Sequence, residues 1–308
     1  MPQRVVLIAD PGIDTAFAVA LALNDPSLDV LGLLATPGNV PAEQATQNVH
    51  TLIELLDPPR WPRLGAAPPV VYDSDGTDLH GPGGLGGVTF PSVKRHTTHA
   101  SDKQLVELAR EFPHQITVVN LGPLSVLAQA IDRDPELPGL IERIICLGGA
   151  WHEPGNASAV AEFHIACDPA SARHVLRCGA PITLIPLDVT RKIVFSPSDL
   201  LELPNPNSRT CQFLRQIVPF GIRATANRYG IEGFHLKDVL GVFALNRPSS
   251  LTTRHVYVDV ETRGEITRGM TVVDTRPNAS DKPNVHFGVG VDASAVRSYI
   301  DETLRRAL

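Results

Sequence analysis

The sequence has no run of Lys or Arg longer than about a pair, and its formal net charge is −6. Because nucleic-acid backbones and anionic lipids select basic patches, neither kind of partner is expected. No apolar segment is long enough to span a bilayer. The N-terminal stretch RVVLIAD is typical of a strand and does not resemble a secretory signal peptide. We therefore expect a cytoplasmic protein that binds neither nucleic acid nor a membrane.

The four cysteines lack a functional pattern. Cys146, Cys167, Cys178 and Cys211 include no C-x-x-C pair and have no His at zinc-finger spacing. Buried, reduced thiols are the simplest interpretation. The chain has 308 residues, of which 43% are hydrophobic and 19% charged, as in ordinary globular proteins. Nothing marks a linker or a repeat, so we expect a single domain over residues 1–308.

Short apolar runs alternate with longer amphipathic ones, which is typical of β-α units. The predicted strands of this part are 5–9, 28–35, 116–120, 143–147 and 182–187, and the predicted helices are 16–23, 43–56 and 124–131. In the C-terminal third, predicted strands 255–262, 270–274 and 285–291 leave no room for full helices between them, and a last helix covers 294–308. Pro-rich stretches 58–69 and 203–206 are expected to be surface loops. The predicted fold class is α/β, with one doubly wound, mostly parallel sheet and a mixed C-terminal extension.

Polar clusters follow the predicted strands, where ligands bind in open α/β sheets. Asp10 and Asp14 lie on a tight turn after the first strand and could converge on one cation or one sugar, although Asp14 could instead cap the next helix. The Lys237-Asp238 pair precedes an apolar helix, where Asp238 could also be a capping carboxylate. The remaining clusters are 36–39, 120–123, 148–150, 155–156 and 161–164. Each is weak alone, but all of them lie where a strand ends or a helix begins.

These clusters carry a family resemblance. IADPGIDTA resembles the DTDPGxDDA signature of the calcium-dependent nucleoside hydrolases, and the family's later motifs follow in order. TPGNV resembles AGNV, HGPGGLGG resembles HGxDGLGG, NLGPLSVLAQA resembles TGPLTNIALA, and GGAWHEPGNASAVAEFHIACDPASA resembles GGAxxxxGNxxxxAEFNxxxDPEAA. KDVLGVFAL resembles HDPLAVAYL, and VETRGEITRGMTVVD resembles VETxGELTRGxTVVD. The resemblance runs from about residue 4 to residue 292, so a chance match is negligible.

The resemblance implies hydrolysis of the N-glycosidic bond of ribonucleosides through an oxocarbenium-like transition state. A Ca²⁺ ion would hold the ribose hydroxyls and the attacking water, and relatives are usually homodimers or homotetramers. Asp10 would be the catalytic base and a metal ligand, together with Asp238 and the backbone carbonyl of Leu121. The implied substrate-binding residues are Asp14 and Asn39 at the ribose hydroxyls, Asn156 and Glu162 at the 5′ side, and Phe163 and His164 beside them.

Several positions depart from the family pattern. The Asp that binds calcium through both oxygens is Thr15, and a neutral hydroxyl does not replace a bidentate carboxylate in charge or denticity. The first signature Asp is Ile8, and the Asn after Glu-Phe is His164. Lys237 replaces a His linked to handling of the leaving group, so we count it with Asp10 as a catalytic candidate. The other departures are Gly83 for an Asp and Val126 for an Asn.

Two functions stay open at this point, besides a purely structural or interaction role. The first is a working ribonucleoside hydrolase whose calcium is held by fewer ligands. The second is a metal-free divergent member that binds a ribosyl ligand with little or no turnover, with Lys237 near the vacated ion position. Base specificity is expected to depend on the regions near residues 80 and 225. There Arg228 or Tyr229 could face the base or lie in a solvated loop, and Trp151 could stack on the base or lie half-buried in the core.

Overall fold

The computed structural model describes residues 2–73, 75–91, 99–278 and 281–307. A ten-stranded sheet and a separate two-stranded sheet contain these strands: β1 (Gln3–Ala9), β2 (Leu28–Ala35), β3 (Arg63–Ala66), β4 (His99–Ala100), β5 (Ile116–Asn120), β6 (Arg143–Leu147), β7 (Ile182–Ile185), β8 (Val194–Phe195), β9 (Phe234–His235), β10 (Leu251–Val260), β11 (Thr271–Asp274) and β12 (Val285–Val291). The large sheet has the order β11-β10-β12-β7-β6-β5-β1-β2-β3-β4, and β8 pairs with β9. The strands from β12 to β4 run parallel, and β10 is antiparallel to both of its neighbours.

Helices cover both faces of the large sheet. They are α1 (Ile13–Asn24), α2 (Ala42–Leu56), α3 (Thr77–His80), α4 (Ser101–Glu111), α5 (Ser125–Arg133), α6 (Leu137–Leu140), α7 (Phe163–Cys167), α8 (Pro169–Leu176), α9 (Leu187–Thr190), α10 (Pro197–Leu201), α11 (Arg209–Tyr229), α12 (Val239–Asn246) and α13 (Ala293–Arg305). One apolar cluster packs α1, α2, α11, α12 and α13 on one face, and a second packs α4, α5 and α8 on the other. No helix in the described ranges is long and apolar enough to cross a membrane.

Alternation along β1 explains the two layers. Val5 and Leu7 belong to the first apolar cluster, whereas Val6 and Ile8 belong to the second. Because successive side chains of a strand point to opposite faces, a fully apolar strand needs cover on both sides. The predicted α/β class with a mixed C-terminal part is the observed architecture.

Several expectations for local structure were wrong, including the bounds of the predicted strand 255–262, which is β10 (Leu251–Val260). The Pro-rich stretch 58–69 contains β3, a parallel strand that pairs with β2. The region near residue 225 is the end of the long helix α11, which stops at Tyr229 with Gly230 in the left-handed conformation. The predicted strand 182–187 ends two residues earlier, because Pro186 precedes α9. Gly230 ends α11 because a left-handed residue without a Cβ costs little there.

Candidate active site

Asp10 lies immediately after β1, at the carboxyl edge of the parallel sheet, and is fully buried. Its Oδ2 accepts a hydrogen bond from the backbone N–H of Asn39 at 3.0 Å, and its backbone carbonyl accepts one from Asn39 Nδ2, also at 3.0 Å. Burial raises the pKa of Asp10 to about 7, although His164 and the Asn39 N–H both act to lower it. A carboxyl group with this pKa can accept a proton near neutral pH.

Thr15 joins Asp10 to Asp238. Its hydroxyl donates a hydrogen bond to Asp238 Oδ2 at 2.6 Å and lies 3.5 Å from Asp10 Oδ1. The other oxygen of Asp238, Oδ1, is buried without a hydrogen-bond partner among the described residues. Burial, followed by the charges of Asp14 and Asp10, raises the pKa of Asp238 well above its usual value. Asp238 makes no side-chain cap to α12, so the capping interpretation does not hold.

Asp14 lies in the first turn of α1 and also does not cap it. Its Oδ1 is buried without a hydrogen-bond partner in the described structure and lies 3.8 Å from His80 Nδ1. That nitrogen accepts the N–H of Ile13 at 3.0 Å, so the proton of the ring resides on Nε2. Burial lowers the pKa of His80 to about 4, against the attraction of Asp14. His80 is therefore neutral: its unprotonated Nδ1 is the nitrogen nearer Asp14, and its Nε2–H remains available as a donor.

Glu162 begins α7 as its N-cap. Its Oε2 accepts the backbone N–H groups of His164, Ile165 and Gly149 at 3.0, 3.3 and 3.3 Å. Asn156 Oδ1 accepts the N–H of Phe163 at 2.8 Å, which leaves the Asn156 amide nitrogen for a ligand. The predicted 5′ residues thus form one small framework around the start of α7.

His164 lies between that framework and Asp10. Its Nε2 lies 3.7 Å from Asp10 Oδ2, and its Nδ1 lies 3.3 Å from the carbonyl of Leu147. Because a carbonyl only accepts, the Leu147 contact assigns a proton to Nδ1. The ring therefore stands between the 5′ framework and the Asp10 carboxylate.

Lys237 precedes Asp238 and is surrounded by carboxylates at longer range. Burial acts to lower its pKa, but the charges of Asp14, Glu162 and Asp238 together raise it above the usual value. No carboxylate oxygen of the described residues lies within 4.0 Å of its ammonium nitrogen. The ammonium group is therefore charged without being locked in an ion pair.

Lys237 and His80 also line a cavity of about 490 Å³. The remaining lining residues are Leu79, Pro154, Gly155, Asn156, Leu187, Arg191, Thr225, Tyr229, Ile231, Phe234 and His235. This volume is in the range of small-molecule sites, about 300–1,000 Å³. Asp10, Asp14 and Asp238 do not line this cavity, but Asp14 Oδ1 lies 3.8 Å from Nδ1 of the lining residue His80, and Asp238 follows Lys237 in the chain.

The structure separates the uncertain candidates for base recognition. Tyr229 lines the cavity, whereas Arg228 forms an ion pair with Asp78 at 3.1 Å. Trp151 is half-buried against Phe287, with a ring separation of 6.0 Å, and does not line the cavity. Arg191 and His235 line the cavity but were not predicted, because each stands alone in the sequence beside short elements.

Comparisons with known proteins agree with this geometry. A family model described as inosine-uridine preferring nucleoside hydrolase matches residues 5–298. Probable uridine nucleosidase 2 of Arabidopsis thaliana is 34% identical, with 98% of this chain and 97% of the relative covered. Non-specific ribonucleoside hydrolase RihC of Salmonella agona is 32% identical, with 97% of this chain and 96% of the relative covered. The chain belongs to the nucleoside hydrolase family.

Solved structures support the same assignment. A plant nucleoside hydrolase has a TM-score of 0.91 at 30% identity, with 99% of both chains covered. A purine-preferring ribonucleoside hydrolase from Gardnerella vaginalis has a TM-score of 0.90 at 26% identity, with 98% of this chain and 99% of that chain covered. The resemblance, the fold class and the hydrolase class expected from the sequence are confirmed. A binding protein without turnover is not favoured.

Nucleoside hydrolases are generally calcium-dependent, and calcium binds oxygen donors. The buried, unpartnered Asp14 Oδ1 and Asp238 Oδ1 are oxygens that a cation satisfies. Gly122, the residue after Leu121, packs against Asp10, because a Cβ on Gly122 would lie 2.9 Å from Asp10 Cγ. The donors therefore fit calcium in type. Within the described ranges, however, no group of three His, Cys, Asp or Glu is arranged to hold a metal, and Thr15 adds only a neutral oxygen.

Proposed function

We propose that this nucleoside hydrolase cleaves the N-glycosidic bond of ribonucleosides and releases the base and ribose. The observation that carries the proposal is the buried group of Asp10, Asp14 and Asp238, which Thr15 and the cavity-lining His80 contact. A carboxylate cluster at the sugar end stabilises positive charge on the ring, which is where charge develops in an oxocarbenium-like transition state.

Asp10 is the base in this proposal. Its carboxylate takes a proton from the attacking water, and the Asn39 N–H and the His164 ring hold it in place. The ribose hydroxyls bind Asp14 and Asn39. The 5′ hydroxyl binds Asn156 and Oε1 of Glu162, with Phe163 beside the sugar.

Lys237 is the second catalytic residue in the proposal. Its ammonium group lines the cavity and is not tied to a carboxylate, so it is free to donate to the departing base. It also offsets the repulsion among the crowded carboxylates, because each like charge in the cluster raises the pKa of its neighbours. Lys237 occupies the position of the His in the family pattern, with an ammonium group in place of an imidazole.

In this proposal Asp10, Asp238 and the backbone carbonyl of Leu121 would hold a calcium ion. When bound, it supplies positive charge that binds ribose hydroxyls and lowers the pKa of water. Two carboxylates give a site of low charge, so we expect weak binding. A cytoplasmic location and a homodimer or homotetramer also remain expectations, and light scattering at micromolar concentration tests the assembly.

The experiment that tests the function is direct. Purified protein is incubated with uridine or inosine, with calcium or with a chelator, and free base is quantified by liquid chromatography. We expect release of base with at least one substrate. If ribose and nucleosides bind but neither they nor a nitrophenyl riboside are cleaved under calcium saturation, the chain is a binder and the proposal fails.

A further inference from the structure

The connection between β6 and α7, residues 148–162, carries Asn156 and part of the cavity wall. It contains neither a helix nor a strand of its own. A connection of this length without regular structure keeps one shape only if other elements hold it, because ordering a free backbone costs conformational entropy. The position of Asn156 therefore depends on the contacts that this connection makes.

Asp188, in the first turn of α9, holds the beginning of the connection. Its Oδ2 accepts the backbone N–H of Trp151 at 2.9 Å, and its Oδ1 accepts that of His152 at 2.8 Å. The carbonyl of Gly149 also accepts the N–H of Leu187, at 2.9 Å. Because two consecutive N–H groups bind the two oxygens of one carboxylate, both the distance and the orientation of this backbone are fixed.

Arg191, the residue after α9, holds the next part of the connection. Its Nη1 contacts Glu153 Oε2 at 2.8 Å, and its Nη2 donates to the carbonyl of Gly155 at 3.4 Å. Asp188 and Arg191 are three residues apart, so they lie on the same side of this helical turn. The contacts of α9 thus run from the beginning of the connection to the residue before Asn156.

Asn156 is held from the other direction by α7. Its backbone N–H donates to the carbonyl of Ala161 at 3.1 Å, and its Oδ1 accepts the N–H of Phe163 at 2.8 Å. The residue therefore lies between two anchors, with α7 on one side and α9 on the other. Its amide nitrogen has a fixed place relative to the cavity only while both anchors hold.

We propose that Asp188 is a positioning residue for the 5′ side of the substrate, which it affects by holding residues 151–155 and thereby Asn156. The inference rests on the proposed function, in which Asn156 binds the 5′ hydroxyl. Asp188 does not line the cavity, so it acts through the backbone and does not touch the substrate. Because hydrogen bonds weaken steeply when their geometry is disturbed, its loss weakens the 5′ contact and spares the ribose contacts of Asp14 and Asn39.

The test compares uridine with 5′-deoxyuridine, which lacks the hydroxyl that Asn156 binds. Base release gives kcat and KM for the wild-type protein, Asp188→Ala and Asp188→Asn. We expect Asp188→Ala to lower kcat/KM for uridine about tenfold, as for the loss of one hydrogen bond, and for 5′-deoxyuridine by less than about twofold. Asp188→Asn should lie between, because its single amide oxygen still accepts one of the two N–H groups.

A double substitution shows whether Asp188 acts through Asn156. Asn156→Ala should lower kcat/KM for uridine selectively, as Asp188→Ala does. The double variant should then lose little more than Asn156→Ala alone, because the contact that Asp188 positions is already absent. A purely structural role of Asp188 predicts that the two losses add.

Asp199→Ala is the matched control. Asp199 also accepts a backbone N–H beside a short helix, from Ser196 at 2.7 Å, but it belongs to α10 and does not line the cavity. It should not change the ratio of the two kcat/KM values, and thermal melts show whether each variant is folded.

Three outcomes would overturn the inference: equal losses for both substrates in Asp188→Ala, no loss for either, or additive losses in the double variant. A wild-type protein that cleaves the two substrates equally well would also overturn it, while leaving hydrolysis itself intact. If the wild type cleaves neither substrate, the proposed function fails separately. Dissociation constants of the two ligands, measured by calorimetry on the same variants, then make the same comparison for Asp188.

Discussion

Thr15 affects the active site in two ways: its hydroxyl donates a hydrogen bond, and its side chain carries no negative charge. Its hydroxyl proton goes to Asp238, and the same oxygen stands near Asp10. A donor between two carboxylates reduces their repulsion without a metal, which a carboxylate at this position would not do. The sequence shows the loss of a ligand, but this compensation depends on the side-chain orientation and cannot be predicted from the motif.

The Asp10→Asn substitution tests the base. The amide keeps an oxygen to accept the Asn39 N–H but cannot take a proton, so kcat for uridine should fall by about 10²–10⁴-fold. Burial already raises the pKa of this group to about 7, so loss of the charge should not lower stability at neutral pH. Urea unfolding checks the second point. Activity close to that of the wild type would exclude Asp10 as the base.

His80 makes stability depend on pH. Below about pH 6.5 the unfolded chain binds a proton on this histidine, whereas the folded protein does so only near pH 4. Unfolding therefore takes up a proton in this window, and stability falls as the pH falls, by up to about 3 kcal/mol from this group. Above pH 6.5 the contribution disappears, because both states are neutral.

The His80→Asn variant isolates that effect. The asparagine oxygen can still accept the Ile13 N–H, so the loss of stability between pH 6.5 and 4 should become smaller. The measurement is urea unfolding at several pH values without added calcium. His99→Asn, at an exposed position, is the control and should leave the pH profile unchanged. Parallel profiles for wild type and His80→Asn would contradict the interpretation.

At the scale of elements, the long regular strands were predictable and the short ones were not. β2, β5, β6 and β12 begin and end where the apolar runs predict. β3 has only four residues next to prolines, so its own sequence pattern does not predict a strand. It forms a strand because it pairs with β2 in the sheet. α11 contains Pro219, which interrupts the usual helical signal, and tertiary packing maintains the helix through it.

The turns at the sheet edge leave room for Asp10. A Cβ on Gly38 would lie 2.2 Å from Asp10 Oδ2 and 2.8 Å from Pro123. Gly38→Ala should therefore displace the carboxylate, lower stability by about 1–3 kcal/mol and reduce activity strongly. Gly139→Ala is the control, because its Cβ would meet nothing within 4 Å. Equal unfolding midpoints and activities for the two variants would show that Asp10 tolerates the added methyl group.

At the scale of the whole molecule, the parallel sheet brings together residues far apart in sequence. Strand ends at one edge place Asp10 and Asn39 in contact, and the turn before α12 adds Asp238. The family resemblance implied this group, whereas the positions after strands and before helices left each cluster weak on its own. Arg191 and His235 were not predicted. The small sheet of β8 and β9 brings them near each other, and its strands of two residues each are too short to leave a sequence signal.

Calcium should stabilise the folded molecule, because the carboxylates converge only when the sheet is formed. A ligand at about 100 times its Kd adds about 2.7 kcal/mol, which corresponds to a rise in Tm of roughly 5 °C for a chain of this size. Wild type should need high calcium to show this rise, since Thr15 contributes no charge and Lys237 lies near the donors. A chelator should reverse it.

The double substitution Thr15→Asp, Lys237→His should strengthen calcium binding by at least about tenfold, because it adds a carboxylate and removes a nearby permanent cation. Thermal melts against calcium concentration give the affinity, and Thr15→Asn with Lys237→His is the matched control that changes shape without adding charge. If wild type already binds one calcium tightly and the double variant binds no more strongly, Thr15 does not weaken the site. If wild type shows no shift at any calcium concentration while the double variant does, Lys237 and the Thr15 hydroxyl balance the carboxylates in place of the ion.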